Sequence, residues 1–460
     1  MQMKPLSALQ LSNIISGTIV HGQPVMIHHG AYRLKQVKRK NTVLFIEQHI
    51  VNWSDLASFF PIILVTEWGY TSQEIPAQVT VIQVENSNEA KWKFIKFYRN
   101  QFQLPVIAIT GTAGKTTTKE IIKHILSPYK SITATQLSTN SRTAHFHYLL
   151  SIEEDTEVAV FETAVGAPGD LTMAGRYFQP TIGIITNIGE HHLNHCKTLE
   201  GYINAKSEML DIIQRDGTLI INADDAKTKT INFKRFQGKL IKIGFGSGHD
   251  FGATDVSYFK NGMQFTLHHK GNHYNVQIPG FGVHQVYNAL AAIAAVVEVG
   301  ISIPQAILQL QTFRKLNKQL QLFNGINGAI ILDDTWSITT TSLDAALTVL
   351  KAIAKGKKTV AIIGTITDVG SWGTYIHEQA AKLIADHQVD VLITIGMHAK
   401  IIADHCKKIG FKGDVYSFNN SILSYDFIKS WVNKETIILI KGDMYSKTMF
   451  ELASKLKKKS

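Results

Sequence analysis

The chain has 460 residues, of which 45% are hydrophobic and 18% charged, an ordinary globular balance that two or three domains would fill. No run of about 18 apolar residues exists, which excludes a membrane-spanning helix, and the N-terminus is read as lacking the apolar stretch and cleavage site of a signal peptide. A net charge of +11 favours an anionic partner: nucleotide, acidic metabolite, membrane surface or nucleic acid. The dense basic runs, KQVKRK at 35–40 and KLKKKS at the C-terminus, read as solvated surface and a frayed tail. Cys196 and Cys406 lie far apart and form no CxxC pair, so they imply a reducing cytosol and no disulfide framework.

In chain order, residues 1–103 mix short apolar runs with polar breaks. TVLFI, PIILVT and QVTVIQV predict strands, and SNEAKWKFIKFYRNQF predicts a helix that ends before Pro105. From 104 to 318, buried-strand runs alternate with helical patterns: VIAIT then TTTKEIIKHIL, EVAVFET, TIGIITNIG and DGTLIINADD. That alternation predicts a parallel sheet flanked by helices. Residues 252–278 predict an antiparallel β insert, and HQVYNALAAIAAVVEVG a long helix with Gly300 as its C-cap. From 319 to 460 the runs AIILDD, TVAIIG, VDVLITIG and ETIILIKGD alternate with helices, the pattern of an open Rossmann-type α/β domain. No G-x-G-x-x-G follows those strands, so no dinucleotide is inferred.

The most informative run is VIAITGTAGKTTTKE. It departs from the usual phosphate loop, G-x-x-x-x-G-K-[ST], by carrying Ile109 in place of the first glycine. A buried strand, the turn Gly111, Thr112, Ala113 and Gly114, and a helix starting at Lys115 and Thr116 still make an anion site of free N–H groups and the positive helix end. Lys115 suits β- and γ-phosphate oxygens, and Thr116 suits Mg2+.

This spelling resembles the Mur ligase version of the loop, and further motifs follow in family order over about residues 100–350. They are FETAVGAPGDL, TNIGEHHLNH…AKSEML, GVHQVYNALAA and ILDDTWS…TSLDAAL. The last third adds IIGTITDVGSWGTYIHEQA and IKGDMYSKTM, which resemble the branch that joins a dipeptide to a UDP-linked muramyl tripeptide. The resemblance implies a three-domain α/β ligase: a small mixed N-terminal domain for the donor, a central P-loop ATPase domain and a C-terminal Rossmann-like domain. It implies ATP-dependent joining of a carboxylate to an amine through an acyl phosphate, with release of ADP and phosphate.

The resemblance also implies residue roles. Gly111, Thr112, Ala113, Gly114, Lys115, Thr116 and Thr117 cradle ATP. His284 and Asn288, one helical turn apart, and Asp334 complete the nucleotide site. Thr116, Glu162, His192 and a carbamylated Lys206 hold two Mg2+ ions, with Lys115, His192 and Lys206 as the catalytic set; spacing to Lys206 favours His192 over His191. Taken alone, Glu162 reads as a strand-end acid, His192 as a loop histidine, Lys206 as a helix-surface lysine and Asp334 as a helix cap. The expected partners are a small-molecule carboxylate donor, such as a UDP-linked peptide, and an amino acid or dipeptide amine, with no nucleic acid. The chain is expected to act as a cytoplasmic monomer.

Three segments depart from the family pattern. The uridine-binding DSR-type motif reads GAYRLKQVKRKNTVLFI, keeping only Arg33, and EQHIVNWSDLASFF lacks the DGH-like element that follows it. The YNANP segment reads WSITT at Trp336–Thr340, and the ATP-contacting arginine is replaced by Lys318 or Gln319 in RKLNKQLQLF. These changes imply a divergent substrate. The alternatives are the wall ligase itself, a nucleotide-binding regulatory protein without ligation, and a folate-type polyglutamate ligase, against which the last third of the chain speaks.

Overall fold

The computed structural model describes residues 3–47, 51–69, 75–136, 142–189 and 193–458. The chain forms two compact units interleaved in sequence: residues 1–108, 126–163 and 172–181 in the first, and 109–125, 164–171 and 182–460 in the second.

The first unit is built on strands β1 (Thr18–His21), β2 (His29–Ala31), β3 (Thr42–Phe45), β4 (Ile62–Thr66) and β5 (Val79–Gln83), in the order β1-β5-β4-β3-β2. β2 to β5 are parallel and β1 runs antiparallel on the edge. Parallel strands are covered on both faces and so read as continuous apolar runs. Alternate residues here serve two cores: Val43, Phe45, Ile63 and Val65 join Phe94, Phe146, Phe161 and Phe178, whereas Leu44, Ile62 and Leu64 join Leu56 and Ile75. The predicted helix spans Ser87–Arg99, where the Asn86 side chain accepts from the Glu89 N–H.

Strand β6 (Val106–Thr110) carries the chain from the first unit into the second. β7 (Ile132–Ala134) and β8 (Val158–Glu162) pair in parallel within the first unit. In the second unit come β9 (Ile182–Ile185), β10 (Thr218–Asn222), β11 (Lys239–Phe245), β12 (Phe251–Phe259), β13 (Gly262–His269) and β14 (Asn272–Pro279). They lie in that order, with β9 to β12 parallel and β12 to β14 an antiparallel insert, as the sequence predicts. The helix Val283–Glu298 packs on this sheet through an almost unbroken apolar surface. Its C-cap is Val299; Gly300 lies one position further, at φ +90°, the left-handed geometry that favours glycine.

The remaining sheet contains β15 (Gln321–Asn324), β16 (Ile330–Asp334), β17 (Lys358–Ile363), β18 (Val391–Ile395), β19 (Asp414–Phe418) and β20 (Thr436–Lys441). Its order is β15-β16-β20-β17-β18-β19, all parallel except β15. This is the Rossmann-type pattern expected from residue 319 onward. The sequence reading passed over β19, an edge strand whose residues are half or fully exposed and which therefore has no apolar run.

Candidate functional site

β6 enters the loop as an entirely buried strand, and Ile109 is part of its core. The missing Walker glycine is therefore a strand position: the turn begins two residues later, at Gly111. Gly111 has φ +143° and Gly114 φ +84°. A Cβ on Gly111 would collide with the Thr186 hydroxyl, and one on Gly114 with the Asn288 side-chain oxygen. Backbone conformation and close approach both demand glycine.

The loop is clamped from the segment after β9. The Ala113 N–H donates to Asn187 Oδ1 at 3.0 Å, and Asn187 Nδ2 returns to the Ala113 carbonyl at 2.9 Å. The Thr186 hydroxyl donates to the same carbonyl at 2.7 Å. The Gly189 N–H donates to Thr112 Oγ1 at 2.8 Å, and the Tyr202 hydroxyl lies 3.3 Å from that oxygen. Lys115 opens the helix Lys115–Leu126 and folds over the turn, its Nζ donating to the carbonyls of Gly111 at 3.0 Å and Thr112 at 3.1 Å. Thr116 is half-buried beside it. The Thr117 hydroxyl meets Gln319 Oε1 at 3.1 Å, whereas the Lys318 ammonium sits 3.4 Å from the centre of the Phe450 ring. Of the two residues offered for the missing arginine, Gln319 thus faces the loop helix.

Lys206 is the clearest departure from its isolated reading. It lies in the helix Leu199–Ser207, yet its exposure is 1%, with Nζ 4.4 Å from the centre of the Tyr202 ring. Burial pushes its pKa well below the usual lysine value, and the Lys115 charge adds to the shift, against smaller opposing effects of Cys196 and Asp170. Both effects favour the uncharged, nucleophilic amine over the ammonium. Glu162 closes β8 in the first unit and is 1% exposed, so it is no surface acid. His192, with His191, lies outside the described residues.

Asn288 is buried, receives the Thr118 hydroxyl at 3.3 Å and donates to Gln285 Oε1 at 3.4 Å. His284 lies one turn earlier on the same helix. Burial, then the Lys441 charge, pushes its pKa down to about 4, and its Nδ1 is enclosed without a hydrogen-bond partner. Asp334 ends β16 and pairs with Lys441 Nζ at 2.5 Å; the same ammonium donates to the Ser337 carbonyl at 2.8 Å. Burial raises the Asp334 pKa, opposed by Lys441. Asp334 is not the helix cap. Thr339 caps the following helix, in a reciprocal box with Ser342, so the divergent WSITT segment serves as that helix's start.

Sequence reasoning did not assign Thr186, Asn187, Tyr202 or Lys441. All four fall inside or between the motifs it quoted, but nothing local shows that they hold the loop and the Asp334 carboxylate.

The sequence pattern of the Mur ligase middle domain matches residues 109–296. The UDP-N-acetylmuramoyl-tripeptide–D-alanyl-D-alanine ligase of Bacillus subtilis is 29% identical over 375 residues, 82% of this chain and 81% of the relative. The same-named ligase of Buchnera aphidicola is 26% identical over 388 residues, 84% of this chain and 82% of the relative. Among solved structures, MurF from Acinetobacter baumannii superposes with a TM-score of 0.86 at 23% identity, covering 99% of this chain and 100% of that one. MurF from Thermotoga maritima in complex with ADP gives 0.78 at 18% identity, covering 93% and 97%. The fold, the ordered motifs and the clamped loop agree with these matches: residues 109–296 match the Mur ligase middle domain, and along most of its length the chain is similar to Mur ligases, the ATP-dependent ligases that form amide bonds.

Proposed function

We propose that the chain joins the carboxylate of a UDP-linked muramyl peptide, or a close relative of it, to the amine of an amino acid or dipeptide. The observation that carries this reading is Lys206: a lysine buried to 1% exposure, its pKa pushed down by burial, in the same unit as the phosphate loop. A nucleotide-binding scaffold has no use for a buried lysine of this kind.

The chemistry follows from what a carboxylate lacks, a leaving group. A donor carboxylate oxygen attacks the γ-phosphorus of ATP, ADP departs, and an acyl phosphate forms. The acceptor nitrogen then adds to the acyl carbon, phosphate leaves with the electron pair of the C–O bond, and the nitrogen loses a proton. The positive N-terminal end of the helix Lys115–Leu126 and the Lys115 ammonium bind the transferring phosphoryl charge, which is where such reactions gain most. The Lys206 amine adds CO2 and loses a proton to give a carbamate, a hard oxygen ligand. With the Thr116 hydroxyl of the same unit, that carbamate would suit Mg2+, which would supply further charge neutralisation. His284, Asn288 and Asp334 border the nucleotide. In this division of labour residues 1–103 hold the donor, 104–318 ATP and 319–460 the amine.

The donor itself is open to two readings. Relatives named for UDP-N-acetylmuramoyl-tripeptide favour that molecule. Arg33, exposed and stacked over Tyr32 at 5.4 Å, with no other residue of the uridine motif kept, favours a changed donor. The test is ADP and phosphate release with Mg2+, UDP-N-acetylmuramoyl-tripeptide and D-alanyl-D-alanine. Turnover that falls at least 100-fold in Lys115→Ala identifies the wall ligase. ATP binding without turnover points to another donor–amine pair. No ATP binding overturns the proposal.

A further inference from the structure

The antiparallel insert carries a feature that ligation does not use. The hairpin β13–β14 turns at Lys270 and Gly271, both at positive φ (+48° and +77°), as a two-residue turn of this handedness requires. The register sets His268 directly opposite His273 on the outward face, while Leu267 and Val276 point into the core. The two imidazoles approach with Nδ1 to Nδ1 at 2.8 Å.

The protons on this pair can be placed. The Thr254 hydroxyl donates to Asp255 Oδ2 at 3.0 Å, so it accepts from His268 Nε2, 2.7 Å away. Neutral His268 is therefore the Nε2–H tautomer, and its Nδ1 lone pair points at His273. A histidine oriented through its far nitrogen by a hydroxyl and a carboxylate is the arrangement that supports metal ligation.

We propose that His268 and His273 form a surface site for a borderline-soft divalent cation of the Zn2+, Ni2+ or Cu2+ class, bound between the two Nδ1 atoms. Imidazole nitrogen suits these ions, whereas Mg2+ prefers oxygen. Metal–nitrogen bonds of about 2.0–2.1 Å in tetrahedral geometry need the nitrogens about 3.3 Å apart, so the pair opens by roughly half an ångström. On binding, the His273 proton moves from Nδ1 to the exposed Nε2 through solvent, so the neutral pair releases no net proton. Among the described residues no three His, Cys, Asp or Glu side chains converge on a metal position, so water completes the coordination. Two protein ligands give modest affinity.

The experiment is calorimetric titration of the full chain with Zn2+ at pH 7.5, with excess Mg2+ present to fill oxygen sites. One equivalent in the micromolar range is expected, absent in His273→Ala and weakened at least tenfold in His268→Ala. His269→Ala, whose ring stacks on Phe251 at 4.0 Å and whose Nδ1 meets the Asp250 carbonyl, leaves it unchanged. Zn2+ should shift the 15N resonances of both Nδ1 atoms in the wild type. Unchanged stoichiometry and affinity in His273→Ala, or 15N shifts confined to other histidines, overturns the proposal. His273 is exposed, so its replacement leaves the fold intact for this comparison.

Discussion

Asn187 shows how much one side chain can govern. Its amide closes two hydrogen bonds on Ala113, at 3.0 and 2.9 Å, and so fixes a peptide in the middle of the phosphate loop. Removing it leaves the half-buried Ala113 N–H without this acceptor, while the carbonyl keeps the Thr186 hydroxyl, at about 1–3 kcal/mol. Asn187→Ala should therefore weaken ATP binding about tenfold or more, measured by calorimetry, while Lys115 and both loop glycines stay in place. Loss of turnover with unchanged ATP affinity would assign Asn187 elsewhere. The motif T-N was visible in the sequence, but its role was not, because Asn187 and Ala113 are 74 residues apart.

At the scale of elements, β16 and β20 end together and each supplies half of a buried ion pair, Asp334 and Lys441. Lys441 is 1% exposed and Asp334 7%. Breaking such a pair from one side leaves an unpaired buried charge, at about 3–5 kcal/mol. Lys441→Met should lower stability by that order in urea unfolding, and Asp334→Asn added to it should restore a large part. If the double variant is no better than the single one, the pair is not what Lys441 contributes. The helix that follows β16 depends on Thr339: Thr339→Ala should cost about 1 kcal/mol by loss of the cap, with a matching fall in urea midpoint.

For the whole molecule, histidines whose surroundings disfavour the charged ring contribute to the response to acid. Burial lowers the pKa of His147 in the first unit and of His284 and His377 in the second, with Lys441 adding at His284 and His398 at His377. At His377 two bonds act in opposite senses: Nδ1–H donates to the Gly373 carbonyl at 2.7 Å, which favours the charged ring, whereas Nε2 accepts from Ile366 N–H at 3.2 Å, a bond that protonation would break. Below about pH 6.5 the unfolded chain takes up protons that the folded chain refuses. Stability is then full above that value and falls as pH drops toward the folded pKa, about 4 for His284. His284 alone should cost about 2 kcal/mol at pH 5. Urea unfolding of His284→Gln between pH 7.5 and 5 should lose less stability than the wild type; equal slopes would remove His284 from this account.

The sequence by itself determined the buried strands and most of the helices between them, the α/β class, the phosphate loop and the resemblance to a family. Each rests on local pattern: apolar runs for buried parallel strands, glycine where φ is positive, lysine and threonine at a helix start. It also determined that the insert at 252–278 is antiparallel, from its alternation and its turns. Only the tertiary structure decided that Lys206 is buried, with a lowered pKa, rather than a surface lysine. Its helix shows no apolar stripe to announce burial, and the desolvation and the Lys115 charge that shift its pKa arrive from packing. The structure likewise decided that Gln319, not Lys318, faces the loop helix, that Asp334 is an ion-pair partner, and that Thr186 and Asn187 clamp the loop. These are contacts between residues far apart in the chain, and burial and Coulomb interaction depend on distance in space, which a linear sequence does not display.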